Sequence, residues 1–216
     1  MSPPPKSAER ISPLKGQEDS GAAHRLLGNG TLLYLHGFTS GPASHKAQAL
    51  KARMVERGCG EAFVCPQLPP SPKAAIALAE DIIAASAKPV AVVGSSLGGY
   101  YATFLAQRHG LRAVLVNPAV VAHIQLADYV GRHANLYTGE EFDFTPQHIA
   151  ELRALEVPVL AHPENFWVLL ETGDKTLDYR QAVAKYRGAR QTVLEGGDHS
   201  FTRWPLVLDQ FLDFAD

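Results

Sequence analysis

Ser96 stands between two glycines in the pentad Gly94-Ser95-Ser96-Leu97-Gly98. The apolar run Pro89-Val90-Ala91-Val92-Val93 precedes it, and Gly99-Tyr100-Tyr101-Ala102-Thr103-Phe104-Leu105-Ala106 follows. The pattern reads as strand, sharp turn, helix, the context in which Gly-x-Ser-x-Gly lifts a serine hydroxyl clear of a sheet. Such a turn crowds the positions two before and two after the serine, which explains the demand for glycine there. The following helix points its N-terminal N–H groups at the same spot and favours developing negative charge. The chemistry implied is nucleophilic attack by Ser96, with an acyl group carried on its oxygen.

A serine hydroxyl is a poor nucleophile until a base takes its proton. The base is usually a histidine, oriented by a carboxylate, and in parallel sheets of this kind the order is nucleophile, acid, histidine. His199, in Gly196-Gly197-Asp198-His199-Ser200-Phe201, follows the last apolar run and fits the base. Asp174, in Glu171-Thr172-Gly173-Asp174, follows the preceding run and fits the acid. Asp178 is the competitor, but it reads as the N-cap of a following helix. Asp198 adjoins His199 and is badly placed to reach its ring. Acyl transfer also needs donors for the oxyanion. The backbone N–H groups of Leu97, next to the nucleophile, and of Phe38, in the loop His36-Gly37-Phe38-Thr39-Ser40-Gly41, are the candidates. His36 is read as structural, bonding loop backbone.

These residues need elements to hold them. Thr31–Leu35, Ala62–Cys65, Pro89–Val93, Ala113–Val116, Phe166–Leu170 and Gln191–Leu194 read as six strands. Helices are expected from Ser44 to about Arg57, with Ala47, Leu50, Met54 and Val55 inward, and from Ser71-Pro72 toward Ser86. Others follow Ser96, Thr145-Pro146 and Tyr179, and a last one runs from about Trp204 to Phe214. Strands alternating with helices predict a parallel sheet covered on both faces, with ligands bound beyond the strands' carboxyl ends. Between Pro118 and Pro158 the alternation stops, and the segment reads as a cap or wall without a good strand. Its Tyr129, Leu136, Tyr137, Phe142 and Phe144 suit either an acyl pocket or the core.

Composition narrows the function classes. The 216 residues carry a formal charge of −2, with 46% hydrophobic and 19% charged residues. No basic excess supports nucleic acid or an anionic membrane surface as a partner. The expected partner is a small-molecule acyl ester. Two cysteines, Cys59 and Cys65, read as reduced thiols rather than a disulfide framework. His45, His109, His123, His133, His148 and His162 are scattered without metal-ligand spacing, and nucleotide-binding loops are absent, so neither metal nor cofactor is expected. Residues 1–28 are polar and rich in proline and serine, without periodicity, and predict a disordered tail before a domain at 29–216. With no secretory signal and no run of transmembrane length, the expected location is cytoplasmic.

Several stretches together resemble a known family. Leu33-Tyr34-Leu35-His36-Gly37-Phe38, Ser44-His45-Lys46-Ala47-Gln48, Gly94 to Tyr101, Val116-Asn117-Pro118-Ala119-Val120, Tyr137-Thr138-Gly139-Glu140-Glu141 and Gly197-Asp198-His199-Ser200-Phe201 are similar to the YqiA-like bacterial esterases of the α/β-hydrolase superfamily. The resemblance runs from about residue 31 to the C-terminus. It implies a small serine esterase whose triad falls on Ser96, Asp174 and His199, matching the choices made above.

The expected architecture is therefore a minimal α/β-hydrolase fold. It has a six-stranded parallel sheet in the order 2-1-3-4-5-6, helices on both faces, a cap segment at about 118–158, and no pair of opening antiparallel strands. The expected function is hydrolysis of carboxylic esters through an acyl-enzyme. The alternatives are an acyl-CoA or other acyl thioesterase, with Arg132, Lys175 and Arg203 as possible anion contacts, and a non-catalytic hydrolase-fold binding protein.

Overall fold

Strand β1 (Thr31–Leu35) is a short apolar run whose last four residues are buried. It lies second in a six-stranded sheet of the computed structural model, which describes residues 30–215. The tail expected at residues 1–28 lies outside the described residues. The other strands of the sheet are β2 (Phe63–Val64), β3 (Val90–Ser95), β4 (Arg112–Val116), β7 (Phe166–Glu171) and β8 (Arg190–Leu194). All pairings are parallel and the order is β2-β1-β3-β4-β7-β8. This is the expected order 2-1-3-4-5-6, renumbered because two further strands, β5 (Gly131–Ala134) and β6 (Glu141–Phe144), intervene outside the sheet. The central strands are apolar on both faces, as a doubly covered parallel sheet requires.

The two faces sort by the strand period of two. Leu33, Leu35, Val92, Leu115, Val168 and Leu170 pack under α2 (Pro72–Ala85), α3 (Leu97–His109) and α5 (Pro146–Ala154). Leu32, Tyr34, Val93, Val114, Trp167 and Leu169 face α1 (His45–Glu56) and α7 (Leu208–Ala215). Local signals set the helix ends. Ser71 accepts from the Ala74 N–H and is followed by Pro72 at the first helical position. Glu151 of α5 accepts from both Ser71 Oγ (2.8 Å) and the Lys73 N–H (3.1 Å), which ties α5 to the start of α2. α3 stops at Gly110 in the left-handed conformation, with φ of 65°. Asp178 caps α6 (Tyr179–Lys185) by accepting from the Arg180 N–H at 3.0 Å.

Four local expectations change. The 118–158 segment contains a hairpin, β5 (Gly131–Ala134) paired antiparallel with β6 (Glu141–Phe144), beside a short α4 (Ala122–Gln125). Its signal is the alternation Glu141-Phe142-Asp143-Phe144, hidden by the polar sequence of β5. Val55 is 59% exposed, because the buried stripe of α1 is Ala47, Leu50 and Met54. Ser44 occupies the N-cap of α1 without a side-chain capping bond. The last helix is split into a 3-10 turn, Trp204–Leu206, and α7. There the Trp204 indole donates to the Lys46 carbonyl (2.9 Å) and Pro205 has no N–H, so the turn closes tightly before α7 begins. Among the described residues, no helix is long and apolar enough to cross a membrane.

Candidate active site

Ser96 sits between β3 and α3 with φ 56° and ψ −120°, a backbone state that costs a non-glycine residue on the order of 1–3 kcal/mol. Neighbouring hydrogen bonds impose it. Its N–H donates to the Val116 carbonyl (3.0 Å), and its own carbonyl accepts from Gly99 (2.9 Å) and Ala119 (3.0 Å). The turn is so tight that a Cβ on Gly94 would strike the Gly98 carbonyl, and one on Gly98 would strike the Leu35 carbonyl. Backbone cannot yield as a flexible side chain can. Gly98→Ala is therefore expected to lower unfolding free energy by about 3 kcal/mol, read from urea denaturation. A loss under about 1 kcal/mol would mean the elbow is looser than this geometry.

Ser96, His199 and Asp174 come together from the ends of β3, β8 and β7. Ser96 Oγ lies 3.0 Å from His199 Nε2, and His199 Nδ1 lies 2.7 Å from Asp174 Oδ2. Asp174 is an acceptor, so the Nδ1 proton is assigned to that bond and Nε2 is left to accept from the serine. The Asp174 side chain is only 2% exposed. Burial alone pushes its carboxyl up, but the His199 bond and the N–H groups of Leu177 and Thr176 outweigh burial. They hold it below the usual carboxylate range. Asp178 is engaged elsewhere, capping α6 and pairing with Arg180. Asp198 accepts from the Ser200 N–H, not from the ring of His199.

The Phe38 loop lies against the elbow, since a Cβ on Gly37 would come within 3.8 Å of Ser96 Oγ. Among the described residues, neither the Phe38 nor the Leu97 N–H has an acceptor in the protein. His36 is buried and accepts from the Leu68 N–H at 3.0 Å through Nε2, a structural bond, and burial lowers its pKa. The other histidines are dispersed. His109, His123 and His162 face Glu80, Glu156 and Glu164, while His148 closes the capping box of α5 with Thr145. Cys59 is buried, and burial pushes the Cys65 thiol up to about 12, which makes it a poor nucleophile.

A cavity of about 600 Å³ holds Ser96 and His199, with Phe38, Leu97, Leu126, Tyr129, Leu136 and Tyr137 among its walls. A second, of about 330 Å³, shares Gly37, Phe38, Ser40 and Leu97 and includes Phe142. Of the cap aromatics, Tyr129 and Tyr137 thus wall the larger cavity, Phe142 walls the smaller, and Phe144 is core at 1% exposure. The hairpin is fastened to the Phe38 loop. Leu136 N–H donates to Thr39 (2.9 Å), Asn135 Nδ2 donates to Ser40 (2.7 Å), and the Phe38 ring meets those of Phe142 and Phe144 at 5.8 and 5.0 Å.

Three residues near the site were not singled out from the sequence. Lys46 lines the larger cavity and donates to the Ser200 carbonyl at 2.9 Å. Burial lowers its pKa to about 8, against the opposing pull of Asp198, Asp174 and Glu171. Asn117 and Glu171 join the ends of β4 and β7 to the loop that carries His199. A charged residue closing an otherwise apolar strand, as in Phe166-Trp167-Val168-Leu169-Leu170-Glu171, was the available signal.

Solved structures share this arrangement of elements at low identity. A putative hydrolase from Agrobacterium vitis S4 has a TM-score of 0.64 at 18% identity, over 86% of each chain. Mouse alpha/beta hydrolase domain-containing protein 10 has a TM-score of 0.63 at 16% identity, over 85% of this chain and 88% of that one. Est1E from Butyrivibrio proteoclasticus, solved with ferulic acid bound, has a TM-score of 0.60 at 12% identity, over 85% of this chain and 87% of that one. The fold is that of the α/β hydrolases. Residues 31–216 match the model described as uncharacterised protein family UPF0227, so the chain belongs to that YqiA-like family.

Proposed function

We propose that this protein is a serine carboxylic-ester hydrolase working through an acyl-enzyme. The observation that carries the reading is the continuous relay from Ser96 Oγ through His199 to Asp174, opening into the larger cavity. In the reaction, Ser96 Oγ attacks the ester carbonyl carbon while its proton passes to His199 Nε2. The former carbonyl oxygen becomes an oxyanion, held by the Phe38 and Leu97 N–H groups. The C–O bond to the alcohol breaks as His199 returns the proton to the leaving oxygen. Water then attacks the acyl carbon, giving its proton to His199, and the carboxylic acid leaves as Ser96 regains its hydrogen. Asp174 stabilises the imidazolium in both halves.

Two of the cations considered for a thioester's phosphates are already engaged. Arg132 pairs with Glu141, Arg203 pairs with Glu171, and none of the three candidate cations, Lys175 included, lines the cavity that holds Ser96, which favours oxygen esters over acyl-CoA. A structural neighbour described as the esterase domain of a Rhodothermus marinus protein, and another solved with ferulic acid, support the same direction. The test is a panel of 4-nitrophenyl esters and matched acyl thioesters of increasing chain length, run beside fluorophosphonate labelling. Multiple turnovers on esters, with kcat/KM at least tenfold above the matched thioesters, are expected. A reversed preference would make the protein a thioesterase. Labelling without turnover of any substrate would favour a binding protein.

A further inference from the structure

We infer that Glu171, with Asn117, is a positioning residue that holds the His199 loop in its working geometry. The inference rests on His199 as the base proposed above. The loop cannot hold this shape by itself. Between Glu195 and Trp204, three residues take left-handed backbone angles: Gly196 (φ 75°), Gly197 (φ 70°) and Phe201 (φ 57°). No repeating ladder joins its residues, so the polar backbone groups beside His199 must find partners elsewhere.

Glu171 supplies them on one side. Its carboxylate is fully buried at the end of β7. Oε2 accepts from the N–H groups of Asp198 (2.8 Å) and Thr202 (3.2 Å), and Oε1 from the Arg203 N–H (3.3 Å) and Arg203 Nε (3.1 Å). Thr202 Oγ1 adds a longer donation at 3.4 Å. The carboxylate therefore grips the chain one residue before His199 and again three and four residues after it. Gly197 passes so close that any Cβ there would strike the carboxylate. Asn117, itself at φ 40°, works from β4. Its Nδ2 donates to the carbonyls of Asp198 (3.0 Å) and His199 (3.3 Å), while Oδ1 accepts from the Glu171 N–H (3.0 Å).

A buried carboxylate is an expensive way to gain stability, since desolvation opposes it and apolar replacements often serve as well. Here its four main donors are N–H groups of the histidine loop, converging on one point. That arrangement sets a position rather than fills a volume. A shift of about 1 Å in a catalytic group can cost on the order of 100-fold in rate.

Glu171→Gln tests this with nearly constant shape. Whichever way the amide turns, its NH2 faces N–H donors, so one half of the grip is lost. The expected result is a kcat decrease of about 30-fold or more with KM within twofold, and fluorophosphonate labelling slowed in parallel. The downfield proton resonance of His199 Nδ1–H expected in the parent should broaden or vanish in the folded variant. Thr202→Val, at an exposed position, removes one weak donor and is expected to lower kcat about threefold at unchanged melting temperature. A folded Glu171→Gln with parental kcat and an intact Nδ1–H resonance would overturn the inference and leave the esterase reading standing. If Glu171→Gln does not fold, a parental kcat in Thr202→Val overturns it. Absence of any Ser96-dependent hydrolysis in the parent would sink both readings.

Discussion

Ser96→Ala is expected to abolish fluorophosphonate labelling and cut ester turnover by about 10⁴- to 10⁶-fold. The hydroxyl removed is the one hydrogen-bonded to His199 Nε2. Whatever rate survives is expected to come from substrate binding and from the Phe38 and Leu97 N–H groups proposed to hold the oxyanion. Melting temperature should not fall, because Ala keeps the Cβ and removes no structural bond of the Ser96 side chain. Ser95→Ala is the matched control. Ser95 is the last residue of β3, is buried at 4% exposure, and hydrogen-bonds Tyr34 rather than His199. It should retain most activity. Silencing by Ser95→Ala with activity preserved in Ser96→Ala would move the nucleophile.

Asp174→Asn should lower kcat by about 10³- to 10⁴-fold in a folded protein. Asp174 Oδ1 accepts from Thr176 (2.8 Å) and Leu177 (2.9 Å), and an Asn oxygen can keep both bonds. The Asn NH2 is then forced toward His199 Nδ1, which must accept instead of donate. The imidazole proton moves to Nε2 and points at Ser96, the wrong tautomer for a base. Asp178→Asn should keep most activity, since asparagine caps a helix as well as aspartate does. A pH series adds a second readout. The lowered Asp174 carboxyl contributes stability that is fully present above its unfolded value near ~3.9 and lost as pH falls through the lower folded value. Unfolding free energy of Asp174→Asn should therefore depend less on pH below about 4 than that of the parent. Collapse of activity in Asp178→Asn with Asp174→Asn near normal would reassign the acid.

The sheet was legible because its strands are strongly apolar runs separated by helices, and a doubly covered parallel sheet leaves little choice of pattern. The same logic located Ser96, since strand, glycine turn and helix are local features written within about a dozen residues. The hairpin β5–β6 was hidden because only one of its strands alternates cleanly, and because its pairing depends on Asn135 folding the turn back through Tyr137 and Thr138. Val55 misled because one more apolar residue beside a stripe looks buried until the helix phase is known. Glu171 and Lys46 were illegible for a different reason. Their partners lie 27 to 154 residues away, and no periodicity encodes contacts of that kind.

The joining of the β5–β6 hairpin to the Phe38 loop has a consequence for anyone redesigning substrate range. Phe142 and Phe144 pack on the ring of Phe38, whose N–H is the proposed oxyanion donor, so repacking them to admit a bulkier acyl chain is expected to displace that donor as well. Selectivity gained there would come with slower turnover. Leu136 and Tyr137 wall the larger cavity, which holds Ser96, and are 78% and 48% exposed, away from that aromatic stack. They are the positions where a mutational library can explore new substrates while the machinery behind them stays in register.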